Sequence, residues 1–158
     1  MNEEASVRVA VISDIPAIHA LYKILFAEMS QLQPGVWRPA EMPRSFIAEL
    51  VAGERSNILL IEEGGEIAGF AVVQDRDTPP LNCLHKNRFC YLLDFVVQPN
   101  RRGKGLGKAL LAAAEAWAHE RNLKWLELNV LAENTGAIKL YEKTGMKPSG
   151  YTMRKMYT

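Results

Sequence analysis

The sequence predicts one α/β domain over residues 1–158, with a mixed, mostly antiparallel twisted sheet of about six to seven strands and about four flanking helices. Three observations predict this class. Gly64-Gly65 separates two β-rich runs, which is typical of an antiparallel hairpin. A strand, a helix and a second strand follow one another from 88 to 131, which indicates a parallel pair with a right-handed crossover. The chain has 158 residues, 48% of them hydrophobic, enough to bury the core of one domain.

The first half of the chain predicts one strand, two helices and the hairpin. Residues 6–12 alternate well enough for a strand, and apolar residues from Pro16 to Met29 recur at steps of three and four, as in an amphipathic helix. The next segment, 30–41, loses this period and contains two prolines and a glycine, which predicts a loop. Pro43 begins a shorter helix that ends near Val51. The hairpin strands then cover 58–63 and 66–75.

The second half predicts two more strands, two helices and a terminal hairpin. A loop with Pro79-Pro80 covers 76–87, and a strand follows at 88–97. The next helix ends near Asn122, and a strand at 124–131 lies parallel to the previous one. A short helix at 134–144 ends at Gly145. The last residues, 146–157, contain a Pro-Ser-Gly break between a short strand and a longer one, which predicts a hairpin that closes the sheet.

Net charge and cysteine content narrow the classes of function. With 19 basic and 18 acidic residues the net charge is +1, so we expect neither nucleic acid nor an anionic membrane as a partner. Cys83 and Cys90 lack neighbours at zinc-site spacing, and we expect free thiols and no bound metal. No apolar stretch approaches about 18 residues and no leader pattern begins the chain, which predicts a cytoplasmic protein.

A glycine-rich basic turn follows the strand at 88–97. Gly103, Gly105 and Gly107 let the backbone approach an anion, and the next helix offers unpaired N–H groups and the positive end of its dipole. The turn therefore predicts a phosphate site, against the plainer alternative of a glycine-rich connection with solvated basic residues. Four basic side chains add positive charge to the turn: Arg101, Arg102, Lys104 and Lys108.

The spacing of the turn decides which phosphate ligand fits. A dinucleotide fingerprint fails because Lys108 occupies the position of its third glycine. A P-loop fails because Arg102 stands where its first glycine is needed, and Ala109 where Ser or Thr should follow. The pattern Arg-x-x-Gly-x-Gly, at Arg102, Gly105 and Gly107, resembles the acetyl-coenzyme A pyrophosphate loop of the GNAT superfamily of acyl-CoA N-acyltransferases.

A second motif resembles the same superfamily. Asn134 opens the last helix, Tyr141 follows seven residues later, and Gly145-Met146 ends the helix. Seven residues make about two helical turns, so Asn134 and Tyr141 share one helix face and can reach one ligand. The resemblance covers residues 55–147 well, and residues 1–50 only in the order of elements.

The resemblance implies an N-acetyltransferase that transfers the acetyl group of acetyl-CoA directly to a primary amine of a small molecule, peptide or protein, in a ternary complex. It also implies that the parallel strands form a central pair, splayed to admit the cofactor. Because a thioester is already activated, no nucleophilic triad is needed. Tyr141 is expected to protonate the departing thiolate, and backbone N–H groups at 95–97 to stabilise the oxyanion. Cofactor contacts are expected from Phe95, Val96, Val97, Arg102, Gly103, Lys104, Gly105, Leu106, Gly107, Lys108, Asn134 and Tyr141.

Asp94 is the candidate general base. It is an ionisable residue within the apolar run LLDFVV, where burial would raise its pKa. Glu127 or Asn129 on the neighbouring strand could share the task, directly or through water, and Asp94 could instead be satisfied by backbone N–H groups.

Two matters stay open at this point. A different class of function is a non-catalytic acyl-CoA-binding sensor or regulatory module of the same fold. The amine is not readable from the sequence, although the loops at 30–41 and 76–88 and the terminal hairpin are expected to recognise it. A homodimer formed through the terminal strands is one assembly that the sequence allows.

Overall fold

The computed structural model describes residues 4–158 and confirms an α/β fold with one mixed sheet flanked by helices. Single turns of 3-10 helix at Ile12–Asp14 and Pro99–Arg101 come before the first helix and before the glycine-rich turn. No helix within residues 4–158 combines the length and the apolar character that crossing a bilayer requires. The helices and strands are, in chain order, β1 (Ser6–Val9), α1 (Ile15–Leu32), α2 (Arg44–Ala52), β2 (Ser56–Glu63), β3 (Glu66–Asp77), β4 (Arg88–Val97), α3 (Leu106–Glu120), β5 (Leu126–Leu128) and α4 (Thr135–Lys143).

The five strands lie in the order β1-β2-β3-β4-β5 and are antiparallel except for the last pair. The predicted diglycine hairpin is confirmed, since Gly64 and Gly65 have φ of 63° and 75°, the left-handed conformation that a two-residue turn requires. The predicted parallel pair is confirmed as well. It is short: Cys90–Leu92 of β4 pairs with Leu126–Leu128, and from there to Val97 β4 is paired with β3 alone. The two strands therefore separate, as the resemblance implied.

Helices cover both faces of the sheet. On one face α1 and α2 bury Tyr22 and Ile47 against Phe70 of β3. On the other face α3 buries Leu110 and Trp117 against the opposite side chains of the same strands. Because side chains alternate across a strand, the middle strands supply apolar residues to both layers. The two predicted free thiols are confirmed, Cys83 exposed and Cys90 buried.

The predicted hairpin at 146–157 is wrong, because residues 146–158 form no strand. The sheet therefore has five strands within residues 4–158, fewer than predicted, and the parallel pair lies at its edge and not at its centre. The strand predicted at 124–131 shrinks to Leu126–Leu128, and the one predicted at 6–12 ends at Val9. A period-two pattern records only side-chain preference, whereas a strand also needs a partner with free backbone groups.

Candidate active site

A β-bulge in β4 determines which way the candidate residues point. The register of β3 against β4 shifts between Leu92 and Asp94, so Leu93 has no partner on β3. Beyond the bulge the Asp94 side chain faces α1, whereas Phe95 packs against the core beneath α3 and α4. A bulge re-aims side chains in this way because it adds one residue to only one strand of a pair.

The backbone of β4 places two N–H groups at the gap beside β5. Pairing with β5 ends well before β4 does, and the N–H of Gln98 donates to the carbonyl oxygen of Ala68 on β3 at 2.8 Å. Because N–H groups alternate between the two sides of a strand, those of Phe95 and Val97 point into the gap and that of Val96 points to β3. Of the three predicted backbone contacts, two have this orientation.

Asp94 lies half-buried on the α1 face, and its carboxylate has a donor that the sequence did not reveal. The hydroxyl of Tyr22 on α1 donates a hydrogen bond to Asp94 Oδ2 at 2.7 Å. Burial raises the pKa of Asp94 above its ordinary value, and the bond from Tyr22 opposes part of that rise. A tyrosine in an apolar helix stripe gives no sequence signal for this pair, since the partners are 72 positions apart.

Tyr141 lies on the other side of the sheet, in the core beneath α3. The residue is 9% exposed, and its ring meets that of Phe95 edge-on with the centroids 6.1 Å apart. Burial raises the pKa of Tyr141 to about 12, so the phenol keeps its proton at neutral pH. Within residues 4–158 its hydroxyl has no hydrogen-bond partner, and no buried side-chain oxygen there lacks one. The hydroxyl is therefore not fully buried and touches solvent.

Asp94 and Tyr141 thus lie on opposite faces of β4, near the level where β5 diverges. One face presents a carboxylate that can accept a proton, and the other presents a phenol that can donate one. The gap between the strands connects the two faces. This arrangement suits a reaction in which two substrates meet at the gap, one from each side.

Asn134 begins α4 as its N-cap. Its side-chain oxygen accepts a hydrogen bond from the N–H of Ala137 at 3.3 Å, which is the typical N-cap interaction of an asparagine. Its amide nitrogen is the group left to contact a ligand. Asn134 therefore has a structural role of its own, and the predicted cofactor contact would use its NH2 group.

The two alternatives to Asp94 as the base make surface contacts. Glu127 is exposed and accepts a hydrogen bond from the indole of Trp125 at 3.1 Å. Asn129 donates to the hydroxyl of Tyr91 at 2.7 Å. Both residues are exposed, whereas Asp94 is half-buried. Across residues 4–158, no group of three or more His, Cys, Asp or Glu side chains is placed to bind a metal ion.

The glycine-rich turn presents an open helix N-terminus. Gly103 and Gly105 have φ of 80° and 87°, and a Cβ added at either would meet no atom within 4 Å. Gly105 is the N-cap residue of α3, and no side chain caps the helix. The first N–H groups of an α-helix have no intrahelical acceptor, so those from Leu106 to Lys108 are free to bind an anion. This geometry fits a phosphate group.

Gly107 has a packing role that the sequence did not reveal. A Cβ at this position would lie 3.1 Å from Leu140 Cδ2 and 3.5 Å from Phe95 Cζ. The missing side chain therefore lets α3 approach α4 and the Phe95 ring closely. Gly107 thus brings the start of α3, next to the glycine-rich turn, into contact with Phe95 beside the gap.

The basic side chains of the turn contact carboxylates and the end of β4. Arg102 donates from Nε to the carbonyl oxygen of Val97 at 2.8 Å, and its guanidinium contacts Glu28 on α1. Lys104 lies 3.3 Å from Glu63. Arg102 thus fastens the turn to β4, and its contact with a cofactor phosphate stays a prediction.

Comparisons with known proteins agree on one family. The family described as Acetyltransferase (GNAT) family matches residues 18–146. The uncharacterized N-acetyltransferase YhfO of Bacillus subtilis is 32% identical over 143 residues, which are 89% of this chain and 88% of that protein. A mutant of the BH1408 protein from Bacillus halodurans has a TM-score of 0.91 at 24% identity, covering 97% of this chain and 99% of that one. The aminoglycoside N-acetyltransferase AAC(6')-Iy in complex with CoA has a TM-score of 0.74 at 18% identity, covering 99% and 97%.

The family match and the identity to YhfO extend over most of the chain, and the two solved structures show the same fold. The resemblance found in the turn and in α4 is therefore confirmed. The chain is an enzyme of the acetyltransferase (GNAT) family.

Proposed function

We propose that this enzyme transfers the acetyl group of acetyl-CoA directly to a primary amine while both substrates are bound. The observation that supports this most is the placement of Asp94 and Tyr141 on opposite faces of β4, beside the gap to β5. The amine then approaches from the α1 face, and the thioester from the face of α3 and α4. Orientation of two bound reactants replaces a covalent enzyme intermediate.

Asp94 is the proposed general base. Its carboxylate is half-buried, and burial raises its pKa toward the range in which a carboxylate accepts a proton effectively. The ammonium group of the acceptor must lose a proton before its nitrogen can attack. In the proposal that proton passes to Asp94 and from there to solvent.

Tyr141 is the proposed general acid. The new N–C bond forms as the C–S bond breaks, the nitrogen gives up its second proton to solvent, and Tyr141 gives its own proton to the departing sulfur. Its pKa of about 12 keeps it protonated before each turnover, and its solvent contact allows the phenolate to regain a proton. The N–H groups of Phe95 and Val97 supply donors for the carbonyl oxygen as charge develops there. Overall one proton is released.

The glycine-rich turn is the proposed site for the pyrophosphate of acetyl-CoA. The open space at Gly103 and Gly105 and the uncapped start of α3 support it. The exposed side chain of Lys108 lies in the first turn of that helix, where its charge adds to the attraction for an anion.

Amine-dependent thiol release tests the proposal. Purified enzyme with acetyl-CoA is offered an aminoglycoside, a polyamine, a free amino acid and a peptide with a free N-terminus, and free thiol is measured over time. We expect one class of amine to release thiol. For that amine, Asp94→Asn should lower kcat/KM by about 100-fold, the size of a general-base contribution, and remove the acid limb of the pH profile. An unchanged acid limb would eliminate Asp94 as the base.

A sensor that binds acyl-CoA without turnover is the competing function. Calorimetric titration with acetyl-CoA separates it from the enzyme. Binding without thiol release for every amine would favour the sensor, whereas release that depends on the amine contradicts it. Two residues equipped for proton transfer on the two sides of one gap favour the enzyme, since a sensor needs neither.

We further propose that the enzyme is a homodimer in which the C-terminal segments take part. Residues 146–158 form no strand, and Tyr151, Met153 and Tyr157 are 85%, 92% and 86% exposed. β5 is the last strand of the sheet in residues 4–158, so its outer edge has no strand partner there. A second copy would cover both the open edge and the exposed apolar side chains.

Light scattering on the full chain tests the dimer. We expect a dimer for the wild type and a shift toward monomer for Met153→Lys, which places a charge among the covered side chains. Thr152→Lys is the control, since it adds the same charge one residue earlier. A monomeric wild type at micromolar concentration would refute the dimer without affecting the proposed reaction.

A further inference from the structure

The hydrogen bond between Tyr22 and Asp94 joins α1 to the bulged part of β4. The Tyr22 hydroxyl donates to Asp94 Oδ2 at 2.7 Å, and the tyrosine has no exposed surface. Its ring packs against those of Phe70 and Phe26, with centroid distances of 4.8 Å and 5.6 Å. Full burial and contact with two aromatic rings restrict the Tyr22 ring, so the position of the hydroxyl is fixed by the core and not by the carboxylate.

The second oxygen of the carboxylate is reachable. Within residues 4–158, Asp94 Oδ1 has no hydrogen-bond partner, and no buried side-chain oxygen is left without one. Oδ1 must therefore touch solvent. One oxygen of Asp94 is therefore held by Tyr22, and the other is free to accept a proton.

The surroundings of Asp94 make Tyr22 the residue that controls it. The partner of Asp94 on β3 is Val72, and its neighbours along β4 are Leu93 and Phe95, all apolar. In residues 4–158, Tyr22 is the one titratable group that affects the pKa of Asp94. Burial raises the pKa of Tyr22 itself, so it remains a neutral donor. A neutral donor orients a carboxylate without lowering its basicity as far as an arginine would.

We propose that Tyr22 is a positioning residue for the acetyl transfer, because its hydroxyl fixes Oδ2 of Asp94 and turns Oδ1 toward the amine. This inference rests on the proposed role of Asp94 as the base. The proton leaves the ammonium nitrogen and binds Oδ1, while Tyr22 keeps its own proton throughout. Tyr22 touches neither substrate and acts through the carboxylate alone.

Tyr22→Phe tests this role, since it removes the hydroxyl and keeps the packed ring. A hydrogen bond to the charged form of an acid lowers its pKa, so its loss should raise the pKa of Asp94. The acid limb of kcat/KM should therefore move to higher pH. We expect kcat to fall about three- to tenfold, less than for Asp94→Asn, because the base is still present but less well oriented. The KM for acetyl-CoA should not change, since the turn lies elsewhere.

Two matched variants separate positioning from a structural effect. Tyr91→Phe removes a hydroxyl from β4 itself, one that binds Asn129 and does not contact Asp94, and it should leave the acid limb in place. Tyr22→Phe in the Asp94→Asn background should cause no further loss of kcat, because Tyr22 acts through the missing carboxylate. An additive loss in the double variant, or an unmoved acid limb in Tyr22→Phe, would overturn the proposal.

A substrate-free measurement keeps this inference distinct from the proposed reaction. Carbon-13 NMR of labelled aspartate follows the titration of Asp94 directly, and the same upward shift is expected in Tyr22→Phe whether or not an amine has been found. If Tyr22→Phe does not fold, 3-fluorotyrosine at position 22 serves instead. Its more acidic hydroxyl makes a stronger hydrogen bond and should move the pKa of Asp94 downward. An unchanged titration in either protein refutes the positioning role, while an absence of turnover in wild type refutes only the reaction.

Discussion

Tyr141→Phe is the sharpest test of the chemistry, because the structure indicates that it changes the reaction without changing the fold. The hydroxyl has no hydrogen-bond partner in residues 4–158, so its removal leaves no protein group unsatisfied. The ring remains, and with it the edge contact to Phe95 at 6.1 Å. We therefore expect a free energy of unfolding within about 0.5 kcal/mol of wild type. The loss of a general acid should lower kcat about 100-fold, equivalent to about 2.7 kcal/mol in the barrier.

The assay is amine-dependent thiol release under saturating acetyl-CoA, with urea unfolding of the same preparations. Tyr91→Phe is the control, since it removes the same hydroxyl group from a tyrosine whose hydroxyl is bonded to Asn129. The KM for acetyl-CoA should change less than about threefold if the hydroxyl acts mainly in the transition state. A kcat within twofold of wild type would show that solvent protonates the thiolate, and that Tyr141 is only a core residue.

Two further predictions concern packing and stability. Gly107→Val should raise the KM for acetyl-CoA, because the Cβ of the valine would lie 3.1 Å from Leu140 Cδ2 and push α3 away from α4. Gly136→Ala is the control: a Cβ there meets nothing within 4 Å, so the KM for acetyl-CoA should not change. Asp75→Asn should lower Tm by about 3–6 °C at neutral pH, measured by calorimetry, and the exposed Asp77→Asn by less. Burial acts to raise the pKa of Asp75, but hydrogen bonds from Arg88 and Arg55 outweigh burial, and the pKa is lowered. The ionised carboxylate therefore stabilises the fold at neutral pH. The difference in Tm between wild type and Asp75→Asn should vanish as the pH falls through the pKa of Asp75 in the folded protein.

Local signals predicted most of the fold correctly. The strand at 88–97 has the predicted bounds, and the diglycine turn has the predicted conformation, because both depend on residues adjacent in sequence. The terminal hairpin failed for the opposite reason. Its alternating residues favour a strand, but pairing depends on an edge that the sequence pattern does not identify.

The candidate site likewise contains residues that the sequence indicates and residues that only the structure reveals. Asp94 and Tyr141 were predicted as candidates because a charge in an apolar strand and a motif in α4 are visible in the sequence. Tyr22 was not, because it looks like any apolar residue of an amphipathic helix. The structural roles of Arg102 and Gly107 were hidden as well, since both depend on contacts between elements. Sequence reasoning located the turn and the strand, and the contacts between helices and strands had to come from the structure.

The bulge at Leu93 explains how one strand can serve both faces. Cys90 and Leu92 face the α3 layer, and the N–H of Cys90 donates toward β5. Continued without a bulge, that alternation would turn Asp94 into the α3 layer, on the same face as Tyr141, and would aim the N–H of Phe95 at β3. The extra residue reverses both alternations beyond Leu93, that of the side chains and that of the N–H groups. The proposed base therefore reaches the α1 face, where Tyr22 can orient it, through the same change that brings N–H groups to the gap.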